Sequence, residues 1–182
     1  MIVKFNIRST EIKIEFSFLL VLAVSFLLNN IDVVYVILFS ALHEAGHLLA
    51  LLAFRQKAHQ IIVSYYGIGL KYRAHLSFCK ELVLYISGVG INLIFFLIGI
   101  RRDINGALFI INILPVFPLD GGRVVKLILN SVFSLEISDK IYFFVSLVFI
   151  SVLILFSVVT KNISLVVISI YALLFAINNS FD

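Results

Sequence analysis

Apolar positions in this 182-residue chain run in long blocks rather than in the narrow stripes of surface helices. Six blocks stand out, over 16–29, 31–54, 80–100, 104–133, 139–160 and 162–179. A helix needs about 20 residues to cross roughly 30 Å of hydrocarbon, and each block is read as one transmembrane helix. The first is short and runs into Asn29-Asn30-Ile31-Asp32, a tight polar turn. The fourth is interrupted by Pro115, Pro118 and Gly121-Gly122, which predicts a kinked helix or one broken at mid-depth. Inside a bilayer such a break is tolerated only where protein or a water-filled cavity satisfies the freed backbone groups. One stretch departs from the helical reading. Within Gln60 to Leu76, the β-branched and aromatic run Ile61–Leu70, with Gly67 and Gly69, predicts a short hairpin or an extended re-entrant strand after the second helix. A plain interfacial loop is the alternative. The expected fold is an α-helical integral membrane protein with six transmembrane helices, a broken fourth helix and this β-like segment. Residues 1–182 are read as a single domain.

Composition strengthens the membrane reading. Apolar residues make up 62% of the chain and charged residues 13%, with a mean hydropathy of +1.16. A soluble domain carries about 45–50% and about 25%, so the surplus has no soluble core to hide in. Met1 to Glu15 mixes Lys4, Arg8 and Lys13 with Glu11 and Glu15, and no small-residue cleavage site follows, which excludes a secretory signal peptide. The single cysteine, Cys79, excludes an internal disulfide and a cysteine-based zinc cluster. The basic balance, a pI of 9.3, comes without a basic stripe and does not point to nucleic acid. With the N-terminus in the cytoplasm, 11 of the 14 basic residues fall on inner segments, and only Arg101, Arg102 and Lys161 on outer turns. That split favours both termini inside.

The chemistry sits in the apolar blocks. His43-Glu44-Ala45-Gly46-His47 puts two imidazoles on one helical face at i and i+4, with a carboxylate rotated about 100° from the first. Zinc favours imidazole nitrogen, and a catalytic site uses three protein ligands and keeps a fourth position for water or substrate. Glu44 is then free to act as the base. Gly46 lets a neighbouring helix or a substrate backbone approach closely. A charge at the centre of a spanning helix costs roughly 2.5–3.5 kcal/mol, so ionisable side chains there call for a purpose. Arg55 follows the motif by about 10 residues, which sets the metal roughly 15 Å inside the cytoplasmic surface. Asp120, the one acid between Asp103 and Glu136, is the third-ligand candidate. Its other reading is a helix N-cap before Gly121-Gly122 and the run Arg123 to Leu129.

Together, His43-Glu-Ala-Gly-His47 and Asn112-Ile-Leu-Pro-Val-Phe-Pro-Leu-Asp-Gly-Gly-Arg123 resemble the site-2 protease family of intramembrane zinc metalloproteases. The six-span layout is most similar to its sporulation branch, the branch of stage IV sporulation protein FB. The similarity covers roughly residues 16 to 180. It implies one zinc per chain, with His43, His47 and Asp120 as ligands and Glu44 as base. It also implies cleavage of a membrane-associated protein in or near a membrane segment, in the bacterial cell membrane and with the active site toward the cytoplasm. A pro-sigma factor is the substrate the branch implies, and membrane regulatory proteins are further partners. Asn112 matches the asparagine upstream of the Pro-Leu-Asp-Gly motif. Gly88-Val89-Gly90-Ile91-Asn92 matches a Gly-Pro-x-x-Asn stretch, with valine in the proline position. The C-terminal nucleotide-sensing domain common in that branch is not expected here.

The chemistry expected is metal-assisted hydrolysis, with Glu44 moving a proton from water to the leaving amine and Asn112 or Asn92 donating a hydrogen bond to the oxyanion. The Ile61–Leu70 segment offers an edge for strand addition by an extended substrate. His59 and His75 are read as surface histidines. The competing readings are a metal transporter, which gives Glu44 no task, and a non-catalytic zinc-binding membrane scaffold.

Overall fold

The computed structural model describes residues 2–7, 10–15, 23, 31–56, 58–64, 67–72, 76–116, 118–161, 166, 169–170 and 172–174. The first apolar block lies outside the described residues except at position 23, and the sixth is described only at six positions. The chain divides into two compact units, Met1–Phe109 and Ile110–Asp182.

The first unit combines a sheet with long helices. Strands β1 (Ile2–Ile7) and β2 (Thr10–Glu15) pair antiparallel. Helix α1 (Ile31–Ala53) follows, then β3 (Ala58–Ser64) and β4 (Gly67–Tyr72), the hairpin expected over Ile61–Leu70. The sheet has the order β1-β2-β3-β4, and β2 runs parallel to β3. A parallel pair needs a long crossover, and the connection containing α1 provides it. The first hairpin was not anticipated. Its signal is the strict alternation Thr-Glu-Ile-Lys-Ile-Glu over β2, period two rather than 3.6. Across the parallel pair, Gln60 Nε2 donates to Glu11 Oε2 at 2.6 Å. That hydrogen bond, with Lys13 nearby, holds the Glu11 carboxyl below the usual range.

Helix α2 (Phe78–Leu97) and the part of α3 (Arg102–Ile113) up to Phe109 complete this unit's helical layer, with α1 packed along α2. The approach is closest at Gly46. A Cβ there would lie 2.8 Å from both the Ser87 carbonyl oxygen and Ile91 Cγ1, so only glycine lets the two helices come this near. Below it, Ala50, Leu51 and Leu84 form a small core with Phe54, Ile61 and Tyr85 around it. Both helices end in a left-handed residue with a six-to-one hydrogen bond. Gly99 serves α2, with Ile100 N–H on Phe95 O at 3.0 Å, and Arg55 serves α1, with Gln56 N–H on Leu51 O at 2.8 Å. The α2–α3 turn is pinned by Arg101, itself at φ 40°. Its guanidinium donates to Asp32 at 2.6 Å and to Asp103 at 3.0 Å, and lies 4.5 Å from the Tyr35 ring centroid.

In the second unit, α4 (Asp120–Val132) and α5 (Leu135–Thr160) pack together. Residues 114–116, 118 and 119 are not helical, and the fourth apolar block holds two helices of 12 and 13 residues. Val116 is fully buried against Ile150 and Ala172. Among the described residues, α1, α2 and α5 are the three helices long and apolar enough to cross a membrane. Their outward positions are large and apolar, including Leu49, Leu97 and Phe144, as suits contact with hydrocarbon rather than water.

Candidate metal centre

The site begins with helix periodicity. One turn of α1 brings His43 and His47 together, both 95% buried, with their Nε2 atoms 3.2 Å apart. Ligand atoms of His43, Glu44 and His47 all lie within 4.8 Å of one another. The neighbouring helix α2 fixes how the rings are turned. His47 Nδ1 lies 2.7 Å from the Leu84 carbonyl oxygen, which can only accept, so the ring proton is on Nδ1 and Nε2 carries a lone pair. Ser87 Oγ also donates to that carbonyl, at 2.6 Å, and lies 3.3 Å from His47 Nδ1. On the other ring, His43 Nδ1–H donates to Asn92 Oδ1 at 2.7 Å.

These contacts test whether the residues fit zinc. Two Nε2 lone pairs converging at 3.2 Å repel unless a cation lies between them. Two nitrogens on a tetrahedral zinc, each about 2.0–2.1 Å from it, are about 3.3 Å apart. Gly88 of α2 lies against the same nitrogens. A Cβ there would lie 2.7 Å from His43 Nε2 and closer still to His47 Nε2, so only glycine lets α2 pass this near the two rings. Outer partners on both Nδ1 atoms are what metal-ligating histidines require. The donor set fits.

Asn92 is fully buried with both ends of its amide engaged, Oδ1 by His43 and Nδ2 as donor to Asn105 Oδ1 at 3.2 Å. Asn105 and Ser87 belong to this network and were not singled out from sequence. Their signal was weak: uncharged polar residues inside apolar blocks. Among the other histidines, His59 is exposed on β3 and His75 lies outside the described residues.

Asp120 and Asn112 belong to the second unit. Asp120 is the first residue of α4 and is 95% buried, where its charge favours the positive end of the helix. The cap position is Leu119, without a side-chain cap bond, so Asp120 does not take the N-cap role that was its other reading. Arg123 Nη1 lies 3.8 Å from its carboxylate. The glycines that follow are required by close packing. A Cβ at Gly121 would meet the Leu114 carbonyl oxygen at 2.6 Å and the Ile113 carbonyl closer still, and one at Gly122 would meet Val116 O and Tyr142 Oη at 2.6 Å. Asn112 is half-buried on α3.

No curated protein matches the chain. The fold is similar to that of a solved structure, the site-2 protease from Methanocaldococcus jannaschii, with a TM-score of 0.72, 22% identity, and coverage of 99% of this chain and 95% of that one. Residues 86–156 match peptidase family M50, a segment that includes Asn92, Asn105, Asn112 and Asp120 and begins after the His43–His47 motif.

Proposed function

We propose that this protein is a zinc metallo-endopeptidase of the site-2 protease type, hydrolysing peptide bonds in or next to a membrane segment. The observation that carries the reading is the convergence of two buried Nε2 lone pairs beside Glu44, within an apolar helix. His43, His47 and Asp120 would hold one zinc, which when bound supplies Lewis-acid polarisation and an activated water. Glu44 takes a proton from water and returns it to the leaving amine. Asn112 donates to the oxyanion. Asn92, with both amide ends occupied, holds the His43 ring instead. Strand β4 is an outer strand of the sheet and lies beside α1, so a substrate unwound into extended form pairs along it.

Six spans with both termini cytoplasmic, in a bacterial cell membrane, complete the proposal. The substrate is a membrane-associated regulatory protein, and a pro-sigma factor processed during sporulation follows from the branch resemblance alone. The test is cleavage of membrane-spanning peptides by the zinc-loaded chain in vesicles. Glu44→Gln is expected to lower hydrolysis at least about 100-fold while zinc stays bound. Equal hydrolysis by the variant would overturn the reading.

A further inference from the structure

The buried amides of Asn92 and Asn105 form a line that runs from the α2–α3 turn to His43. Its far end is fixed by chemistry. Asn105 Nδ2 lies 2.9 Å from Ile100 O and 3.3 Å from Arg101 O. Both are backbone carbonyls, which accept and never donate, so the NH2 end of Asn105 must face them. Its Oδ1 therefore faces Asn92, and Asn92 must present Nδ2 in return. That turns Asn92 Oδ1 toward His43 Nδ1, which must then carry the ring proton. Nε2 is left as the lone pair. The polarity of every bond in the line follows from two carbonyls at its end.

We propose that Asn105 is a positioning residue that sets the tautomer of His43, acting through Asn92, so that Nε2 is available to a metal. Asn105 touches neither ring. Asn92 alone does not suffice, because an asparagine amide can flip and offer Nδ2 to His43 with equal reach. The flip is blocked by Asn105, which is fully buried and also anchored by its backbone N–H on Arg101 O at 2.9 Å. Arg101 in turn is held by Asp32 and Asp103, so the turn supplying the carbonyls is fixed by its own ion pairs. His47 needs no such relay, since a carbonyl faces it directly. The proposal rests on the zinc reading above for its purpose, but not for its readout.

The decisive measurement is the 15N spectrum of the histidine rings in the metal-free full chain, with His43 assigned by its loss in His43→Gln. A proton on His43 Nδ1 is expected, and a proton on Nε2 would overturn the proposal. A variant pair then tests the relay. Asn105→Leu, close in volume, is expected to weaken zinc binding about tenfold in competition with a chromophoric chelator and to alter the visible spectrum of the cobalt-loaded protein. In an Asn92→Asp background the introduced carboxylate can only accept from His43, so direction no longer depends on position 105. There Asn105→Leu is expected to cost nothing. Equal weakening in both backgrounds, or none in either, would make Asn105 merely structural and overturn the proposal. Should Asn105→Leu fail to fold, the spectrum of the unaltered chain still decides. A chain with the expected tautomer that cleaves nothing would sink the peptidase reading and leave this one standing.

Discussion

His43 and His47 stand within an unbroken helix of 23 residues, whereas Asp120 opens a helix directly after the non-helical Pro118 and Leu119. The two regions make buried polar side chains precise by different means. In the first, helix periodicity sets the spacing, and polar groups of a neighbouring helix turn each ring, with Leu84 O on one and Asn92 on the other. In the second, the chain folds back on its own backbone, and the missing side chains of Gly121 and Gly122 allow the contact. Glycine therefore does different work in the two places. Gly88 leaves room for the two imidazole rings, while Gly121 leaves room for carbonyls.

That contrast can be broken by adding one methyl at a time. Gly88→Ala is expected to reduce zinc affinity at least about 100-fold while the chain stays folded, because the new Cβ sits against both Nε2 atoms. Chelator competition together with thermal unfolding in detergent checks both halves. Gly90→Ala, two residues along the same helix, meets nothing within 4 Å. It is expected to keep full zinc affinity and to gain stability, by up to about 1 kcal/mol from helix propensity. Loss of zinc in both variants would make the Gly88 effect one of helix packing in general rather than of contact with the rings. In the second region, Gly121→Ala is expected to cost about 1–3 kcal/mol of stability, because the overlap is with backbone that cannot rotate away. Unfolding midpoints compared with those of Gly88→Ala sharpen the distinction. A Gly121→Ala protein as stable as the native chain would contradict the packing account.

The smallest effect is expected at the exposed α2–α3 turn. The hydrogen bonds from Arg101 hold the Asp103 carboxyl below its ordinary 3.8. A lowered value means the stabilisation is complete above that ordinary value and fades as pH falls through the lower, folded one. The pair is open to solvent and screened, so Asp103→Asn should shift the unfolding midpoint by at most a few degrees at pH 7. The difference should vanish on acidification below the lowered, folded value, and a shift that grew there would carry the wrong sign.

The residues most legible in the sequence were those whose cost is highest. Two imidazoles and a carboxylate inside an apolar block stand out because hydrocarbon penalises them, and the i, i+4 spacing alone brings His43 and His47 together. The β3–β4 hairpin was legible from its β-branched run. Strands β1 and β2 were not, because each is only six residues long and the charges of Lys4, Lys13 and Glu15 leave too few apolar positions for a period of two to stand out. Asn105 was out of reach for another reason. An uncharged amide inside an apolar helix carries little penalty on paper, and its meaning comes from three contacts that exist only once α2 and α3 are folded together. Taken alone Asp120 read first as a cap, and only beside the His43–His47 motif as a ligand; the structure puts Leu119 at the cap position and removes the first option.

Central to the proposed function is one zinc shared by the His43–His47 turn and Asp120. Its most direct test is the zinc content of the purified full chain beside that of Asp120→Ala, with monodispersity and unfolding midpoint checked for each. About one zinc per native chain and a marked loss in the variant is the predicted result. Equal zinc in the two proteins would contradict it.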